Sequence, residues 1–191
     1  MKPSARANAG SRHPGDLRQA LVEAAVATIE DVGPAAMSLR EVARRAGVTH
    51  PAATYYFGDK AGLLSAVAAQ GYRLLDDALR QAQQRTADFL EVGVAYVRFA
   101  VTHRAYFEVM YRPELYDKAD TALKEARAAA AVLLYGSPDP DTGQLSGGVA
   151  AWAMVHGIAT LWLNGNLPPQ LGDDPEQITR IVASHLRIPR Q

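Results

Sequence analysis

Cysteine is absent from the 191 residues. Disulfide frameworks, thiol nucleophiles, zinc–thiolate centres and iron–sulfur clusters are therefore excluded. A cysteine-free chain is also compatible with a reducing compartment. Net charge is lacking too: 20 Lys and Arg balance 20 Asp and Glu. A non-specific polyanion binder is not expected, although a local basic face is still allowed. No apolar run opens the chain, so no secretory signal is predicted. Residues 1–15 are small, Pro/Gly-containing and basic through Lys2, Arg6 and Arg12, and are expected to form a flexible arm. No phosphate-cradling glycine loop, metalloprotease His-Glu motif or nucleophile-elbow serine occurs, so an enzyme is not expected. The five histidines are dispersed: His13, His50, His103, His156 and His185.

What is present is an ordinary globular balance, with 48% hydrophobic residues. No two-residue alternation and no internal repeat appear, and the chain reads as all-α. Asp16 opens a first helix whose stripe is Leu17, Ala20, Leu21, Ala24, Ala25, Thr28, Ile29 and Val32, ended by Gly33-Pro34. Ser38, with Glu41 three residues on, caps a second helix that ends at Gly47. Thr49 caps a short third helix with Pro51 near its start, and Gly58 closes it. Asp59 caps a fourth, running through the eighties. Phe89–His103 is amphipathic, His103–Tyr116 is dense in aromatics, and Asp117–Tyr135 is an alanine-rich helix. Residues 136–148 read as a loop. Within it, Asp139-Pro140-Asp141-Thr142-Gly143 lacks the third ligand and distal glutamate of a calcium loop. No metal site is expected. The last helix starts at Asp174-Pro175 and carries Ile178, Ile181, Val182, His185 and Leu186.

Ser38–Phe57 is the most informative stretch. Two short helices meet at Ala46-Gly47-Val48-Thr49, a turn too tight for an antiparallel hairpin. In a helix-turn-helix the second helix would offer Thr49, His50, Pro51, Thr54 and Tyr55 to a DNA major groove. Val48, Ala53 and Phe57 would face the core. Arg40, Arg44, Arg45 and Lys60 add cations nearby. Charge supports this only mildly: residues 1–60 hold eight Lys/Arg against six Asp/Glu, and residues 61–191 twelve against fourteen. A tight corner inside an α-bundle fits the spacing as well.

Ser38-Leu39-Arg40-Glu41-Val42-Ala43-Arg44-Arg45-Ala46-Gly47-Val48-Thr49, followed by Tyr55-Tyr56-Phe57-Gly58-Asp59-Lys60-Ala61-Gly62-Leu63-Leu64, resembles the DNA-binding domain of the TetR (tetracycline-repressor) family. The likeness runs from about Leu17 to Leu75. Ala151-Trp152-Ala153-Met154-Val155-His156-Gly157 resembles a branch with a Trp…His-Gly signature in its penultimate helix. The resemblance implies a dimeric, cytoplasmic transcriptional regulator, usually a repressor released from a palindromic operator by a small molecule. It implies no cofactor. The DNA-facing candidates are Ser38, Arg40, Thr49, His50, Pro51, Thr54, Tyr55, Tyr56 and Lys60. Thr54 departs from the tyrosine many members carry there. The domains expected are a helix-turn-helix unit over 16–60 and a ligand-binding and dimerisation unit over 61–191. A helical scaffold without DNA binding is the alternative.

From Thr142 to Gly172 there is no Asp, Glu, Lys or Arg. Val149–Leu163 is apolar nearly all round, too short for a comfortable bilayer span, and expected to be a soluble helix covered on several faces. Self-association would cover it, through helices near 146–164 and 174–187. The two recognition helices of such a pair would sit roughly 34–36 Å apart. Phe99, His103, Tyr106, Phe107, Met110, Tyr111, Trp152, His156 and Trp162 mix large apolar bodies with polar tips, which suits an apolar ligand cavity or plain core packing. Gly157 would allow close helix approach.

Overall fold

The computed structural model describes residues 14–86, 88–136 and 143–185. Nine α-helices occur among them: α1 (Pro14–Ala36), α2 (Leu39–Arg45), α3 (His50–Phe57), α4 (Lys60–Arg85), α5 (Phe89–Thr102), α6 (Arg104–Met110), α7 (Thr121–Tyr135), α8 (Gly143–Leu163) and α9 (Pro175–Ala183). No strand occurs among the described residues. Most of the expected basic arm, the Asp139–Thr142 segment and Leu186 lie outside them.

Local chemistry sets the helix starts. Ser38 Oγ accepts from Glu41 N, Thr49 Oγ1 from Ala52 N, and Asp59 Oδ1 from Gly62 N. Each satisfies an orphan amide of a first helical turn. Asp88, Asp120 and Asp174 do the same for α5, α7 and α9. Helix α1 breaks at Gly33, whose φ of 77° only glycine adopts without cost. Val32, expected on the buried stripe, is 54% exposed beside that break. Val22, by contrast, is buried at 1% although it lies off the predicted stripe.

Helices α1 to α3 close over Leu21, Ala25, Ile29, Val42, Ala53 and Phe57, all buried. Gly47, at φ 72°, makes the turn between α2 and α3. A Cβ on Gly62 would collide with the backbone carbonyl of Phe57, so glycine is what lets α3 end against α4. Helix α4 then runs unbroken from this unit into the second one, where it packs on α5, α6 and α7. Helix α6 also packs back on α1. The architecture is thus an N-terminal three-helix unit joined by one long helix to a C-terminal helical domain.

Helix α8 starts at Gly143, six residues before Val149, so the expected 136–148 loop is shorter than its composition suggested. Gly147 and Gly148 lie inside this helix, and a Cβ at 148 would stand only 2.6 Å from the Tyr135 backbone, so glycine there lets α8 pack closely on α7. The longer helix also overturns the length argument against a span: Leu145–Leu163 is long and apolar enough to cross a membrane by length and composition. In this fold it packs instead on α5, α7 and α9. Only 22% of that window is buried within the chain.

Candidate DNA interface and effector cavity

Helix α3 carries its apolar residues inward and its polar ones outward. Ala53 is fully buried and Phe57 nearly so, with Arg18 stacked 5.2 Å over the Phe57 ring. Thr49, His50, Pro51, Thr54 and Tyr55 are exposed, Tyr55 at 85%. Tyr56 is half-buried, edge-on to Tyr55 at 5.4 Å. The predicted division of the helix into a packed side and an open side is therefore present in the structure.

The cations around it are not equivalent. Arg44 makes a bidentate pair with Glu41, and Arg45 pairs with Asp31. Lys60 Nζ donates to the Ala35 carbonyl at 2.7 Å, tying the start of α4 to the end of α1. Arg40 is exposed and has no ion-pair partner among the described residues. The Thr54 hydroxyl donates to the His50 carbonyl at 3.1 Å, so its proton is committed within its own helix. Ser38 is exposed, its hydroxyl engaged as the α2 cap.

The second candidate site forms where α4, α6, α7 and α8 meet. A cavity of about 230 Å³ is lined by Tyr72, Met110, Tyr111, Pro113, Tyr116, Arg127, Ala131, Leu134, Tyr135 and Trp152. Tyr72 and Tyr116 both donate to the Met110 carbonyl at 3.1 Å, which fixes the end of α6 against α4. Behind the cavity stands a hydroxyl hub. The Tyr96 oxygen lies 2.8 Å from the Tyr111 hydroxyl, 2.9 Å from His156 Nδ1 and 3.3 Å from Trp152 Nε1. A hydroxyl has one proton and two lone pairs, so three partners exhaust it. Burial pushes the Tyr72, Tyr96 and Tyr111 phenols well above the ordinary tyrosine value, and all three stay protonated. Burial also pushes the His156 imidazole down, toward its neutral form.

Sequence reasoning grouped nine residues here, and the structure divides them. Met110, Tyr111 and Trp152 line the cavity. Phe107 and His156 form the aromatic layer behind it, with ring centroids 5.4 Å apart. Phe99 and His103 line a separate groove of about 200 Å³ between α4 and α5. Tyr106 packs beside Gly71 of α4, and Trp162 sits against the core near the end of α8. Tyr72, Tyr96, Tyr116, Arg127 and Tyr135 were not anticipated. They are scattered over three helices and a loop, and no local spacing brings them together. Gly157, expected to admit a neighbouring helix, has no atom of another described element within 4 Å of where a Cβ would stand; Gly148 makes the close approach instead.

No group of three His, Asp or Glu able to hold a metal ion occurs among the described residues. A helix-turn-helix with an open second helix, joined by one continuous helix to a domain with its own cavity, is the architecture of a DNA-binding transcriptional regulator. The comparisons agree. Residues 21–67 match the family described as bacterial regulatory proteins, tetR family, and residues 89–186 match the tetracyclin repressor-like C-terminal domain. The HTH-type transcriptional regulator BetI 1 of Chromohalobacter salexigens is 30% identical over 194 residues, covering 88% of each chain. A protein of unknown function from Rhodococcus sp. RHA1 has a solved structure with 31% identity and a TM-score of 0.74, covering 92% of this chain and 95% of that one. The fatty acid degradation regulator FadR of Bacillus halodurans shares the fold, with a TM-score of 0.66, 16% identity, and coverage of 91% of this chain and 95% of its own. The chain belongs to the TetR family.

Proposed function

We propose that the chain is a ligand-responsive repressor that binds a palindromic operator as a homodimer and releases it when a small molecule enters the α4–α8 cavity. It belongs on this reading to the branch marked by Trp152, His156 and Gly157, and it works in the cytoplasm, where the chromosome is. The working units are residues 16–60 for DNA and 61–191 for ligand and pairing. The observation that carries the reading is the continuity of α4. Lys60, at its start, is bonded to the end of α1, and Tyr72, three turns on, lines the cavity. A molecule that displaces Tyr72 or Met110 pushes on the helix that carries the DNA reader.

Pairing through α8 and α9 is supported by what they leave uncovered. Val149, Leu161 and Ile181 are each at least 40% exposed. Between them α8 presents Ala150, Ala153 and Gly157, small enough for a second helix to come close. Two such helices from each protomer make a four-helix seam about a two-fold axis. Moving most dimers out of the DNA-competent spacing then requires a differential ligand affinity worth about 5 kcal/mol.

On α3 the DNA-facing set is Thr49, His50, Pro51 and Tyr55, with Tyr56 and Lys60 at its margins and Thr54 held back by its own hydrogen bond. Arg40 supplies the uncommitted cation. Protection of a palindromic site upstream of the gene by the purified protein tests the reading. Arg40→Ala is expected to cost about 1–3 kcal/mol of operator affinity. Arg44→Ala, which removes a guanidinium already paired with Glu41, is expected to cost less. No protected site anywhere in the flanking DNA would sink the repressor reading, and equal losses for the two variants would sink the Arg40 assignment.

A further inference from the structure

The cavity between α4, α6, α7 and α8 has a composition that selects a ligand by charge as well as by size. Five of its ten lining residues are aromatic: Tyr72, Tyr111, Tyr116, Tyr135 and Trp152. Trp152 lies 6.2 Å from the Tyr111 ring and 5.7 Å from the Tyr135 ring. Aromatic walls alone would suit either a flat ring, by stacking, or a cation held over the ring faces. Charge decides between them. Among the described residues, Arg127 is the one charged residue lining the cavity, and no carboxylate does so. Arg127 has no ion-pair partner among the described residues. It lines the cavity while remaining exposed to solvent, so its guanidinium is open to a guest at the cavity mouth. A cationic guest would meet an unneutralised guanidinium. An anionic guest would meet a five-donor fork shaped for a carboxylate.

The phenols refine this choice. The Tyr72 and Tyr116 hydroxyls are taken by the Met110 carbonyl, and these residues offer the guest ring surface. The space of about 230 Å³ is below the ~300–1,000 Å³ of sites for drug-sized ligands. One ring, or two fused rings, fills it.

We propose that this cavity binds a small planar aromatic anion, its ring against the cavity-facing surface of Trp152, Tyr111 and Tyr135 and its carboxylate on Arg127. The proposal rests on the reading of this cavity as the effector site and adds the chemical class of the effector. Because Trp152 belongs to α8 and Tyr72 to α4, such a guest touches both the helix that carries the reader and the helix proposed for pairing.

The test uses the full-length protein and three probes of one shape: 2-naphthoate, the neutral 2-naphthamide and the cationic 2-naphthylmethylammonium. Binding is followed by calorimetry and by Trp152 fluorescence in a Trp162→Phe background, since the chain has two tryptophans. The naphthoate is expected to bind at least about tenfold more tightly than the amide, with the ammonium weakest. Arg127→Gln is expected to erase the preference for the acid while leaving amide binding as it was, and Arg127→Lys to retain part of it. Equal binding of acid and amide, preference for the ammonium, no saturable binding of any probe at about 1 mM, or unchanged discrimination in Arg127→Gln would each overturn the proposal. The operator-release assay separates the two levels. Naphthoate that binds through Arg127 without releasing DNA leaves the ligand class standing and refutes the effector role. Release of DNA by a cell extract, with no naphthoate binding, does the reverse.

Discussion

A single hydroxyl group carries much of the order inside the C-terminal domain. The Tyr96 ring is 1% exposed, and its oxygen holds Tyr111 from α6's end and both Trp152 and His156 from α8. Tyr96→Phe keeps the shape and removes the oxygen, so three polar atoms lose a partner at once. The expected cost is about 1–3 kcal/mol, the penalty for stranding buried polar groups. It should be read as a lower urea midpoint at an unchanged slope. His156→Phe in the same background tests whether the loss is shared, because atoms in one network do not contribute additively. A midpoint unchanged within error in Tyr96→Phe would mean that water replaces the hydroxyl and that the hub is not structural.

At the scale of elements, α9 is fastened to α5 by charge. Arg98 forms a bidentate pair with Glu176, and Arg180 one with Glu91, with Glu176 also 3.6 Å from Arg180. Hydrogen bonds from Arg180 and Arg98 hold the Glu91 and Glu176 carboxyls below the usual carboxylate range. Their stabilisation is therefore complete above the ordinary glutamate pKa, about 4.3, and is lost as pH falls through the depressed native values. The pairs are partly solvated, so each contributes only about 0.2–1 kcal/mol and is weakened by salt. The Glu91→Gln/Glu176→Gln protein should unfold at a lower urea concentration than the parent at pH 7 and low salt. The gap should narrow as the pH is lowered below about 4. A gap of constant size across that range would assign the loss to packing instead.

The same scale shows what could be read from the sequence. Helix starts were legible because a cap is local: Ser38, Thr49, Asp59 and Asp174 each bond an amide two or three residues on. The open face of α3 was legible because helical period alone separates Ala53 and Phe57 from Thr49, Thr54 and Tyr55. The start of α8 was not, since its glycines look like a loop until the Tyr135 backbone is seen against them. The cavity was legible only in part. Trp152 and Tyr111 stood out as large residues with polar tips, but Arg127 sits in a helix whose charges look solvated, and Tyr96 in one whose apolar stripe looks like plain core. The role of Tyr96 comes from tertiary contacts 15 to 60 residues apart in sequence, and that of Arg127 from the cavity it lines.

The whole molecule is two units hung on one helix. Helix α4 begins against α1 and α3 and ends against the C-terminal domain, and α6 returns to touch α1. Two routes therefore lead from the cavity wall to the DNA reader, one along the Tyr72 helix and one through Met110 and α6. A ligand need not deform the reader itself. In the proposed homodimer, rotating it as a body changes where it sits on the duplex relative to its mate, and half-site spacing tolerates little of that.

Gly157 gives this arrangement an unusually clean probe. Among the described residues, nothing outside its own helical backbone would touch an added methyl group there. Within one chain, Gly157→Ala should only make α8 a better helix, by about 1 kcal/mol. If the proposed pair forms through α8, whatever this variant loses in sedimentation as a pair is due to the mate alone. A variant that melts later yet dissociates at higher concentration would place the two-fold axis beside residue 157, and one that melts later and stays paired would move the seam elsewhere on the helix.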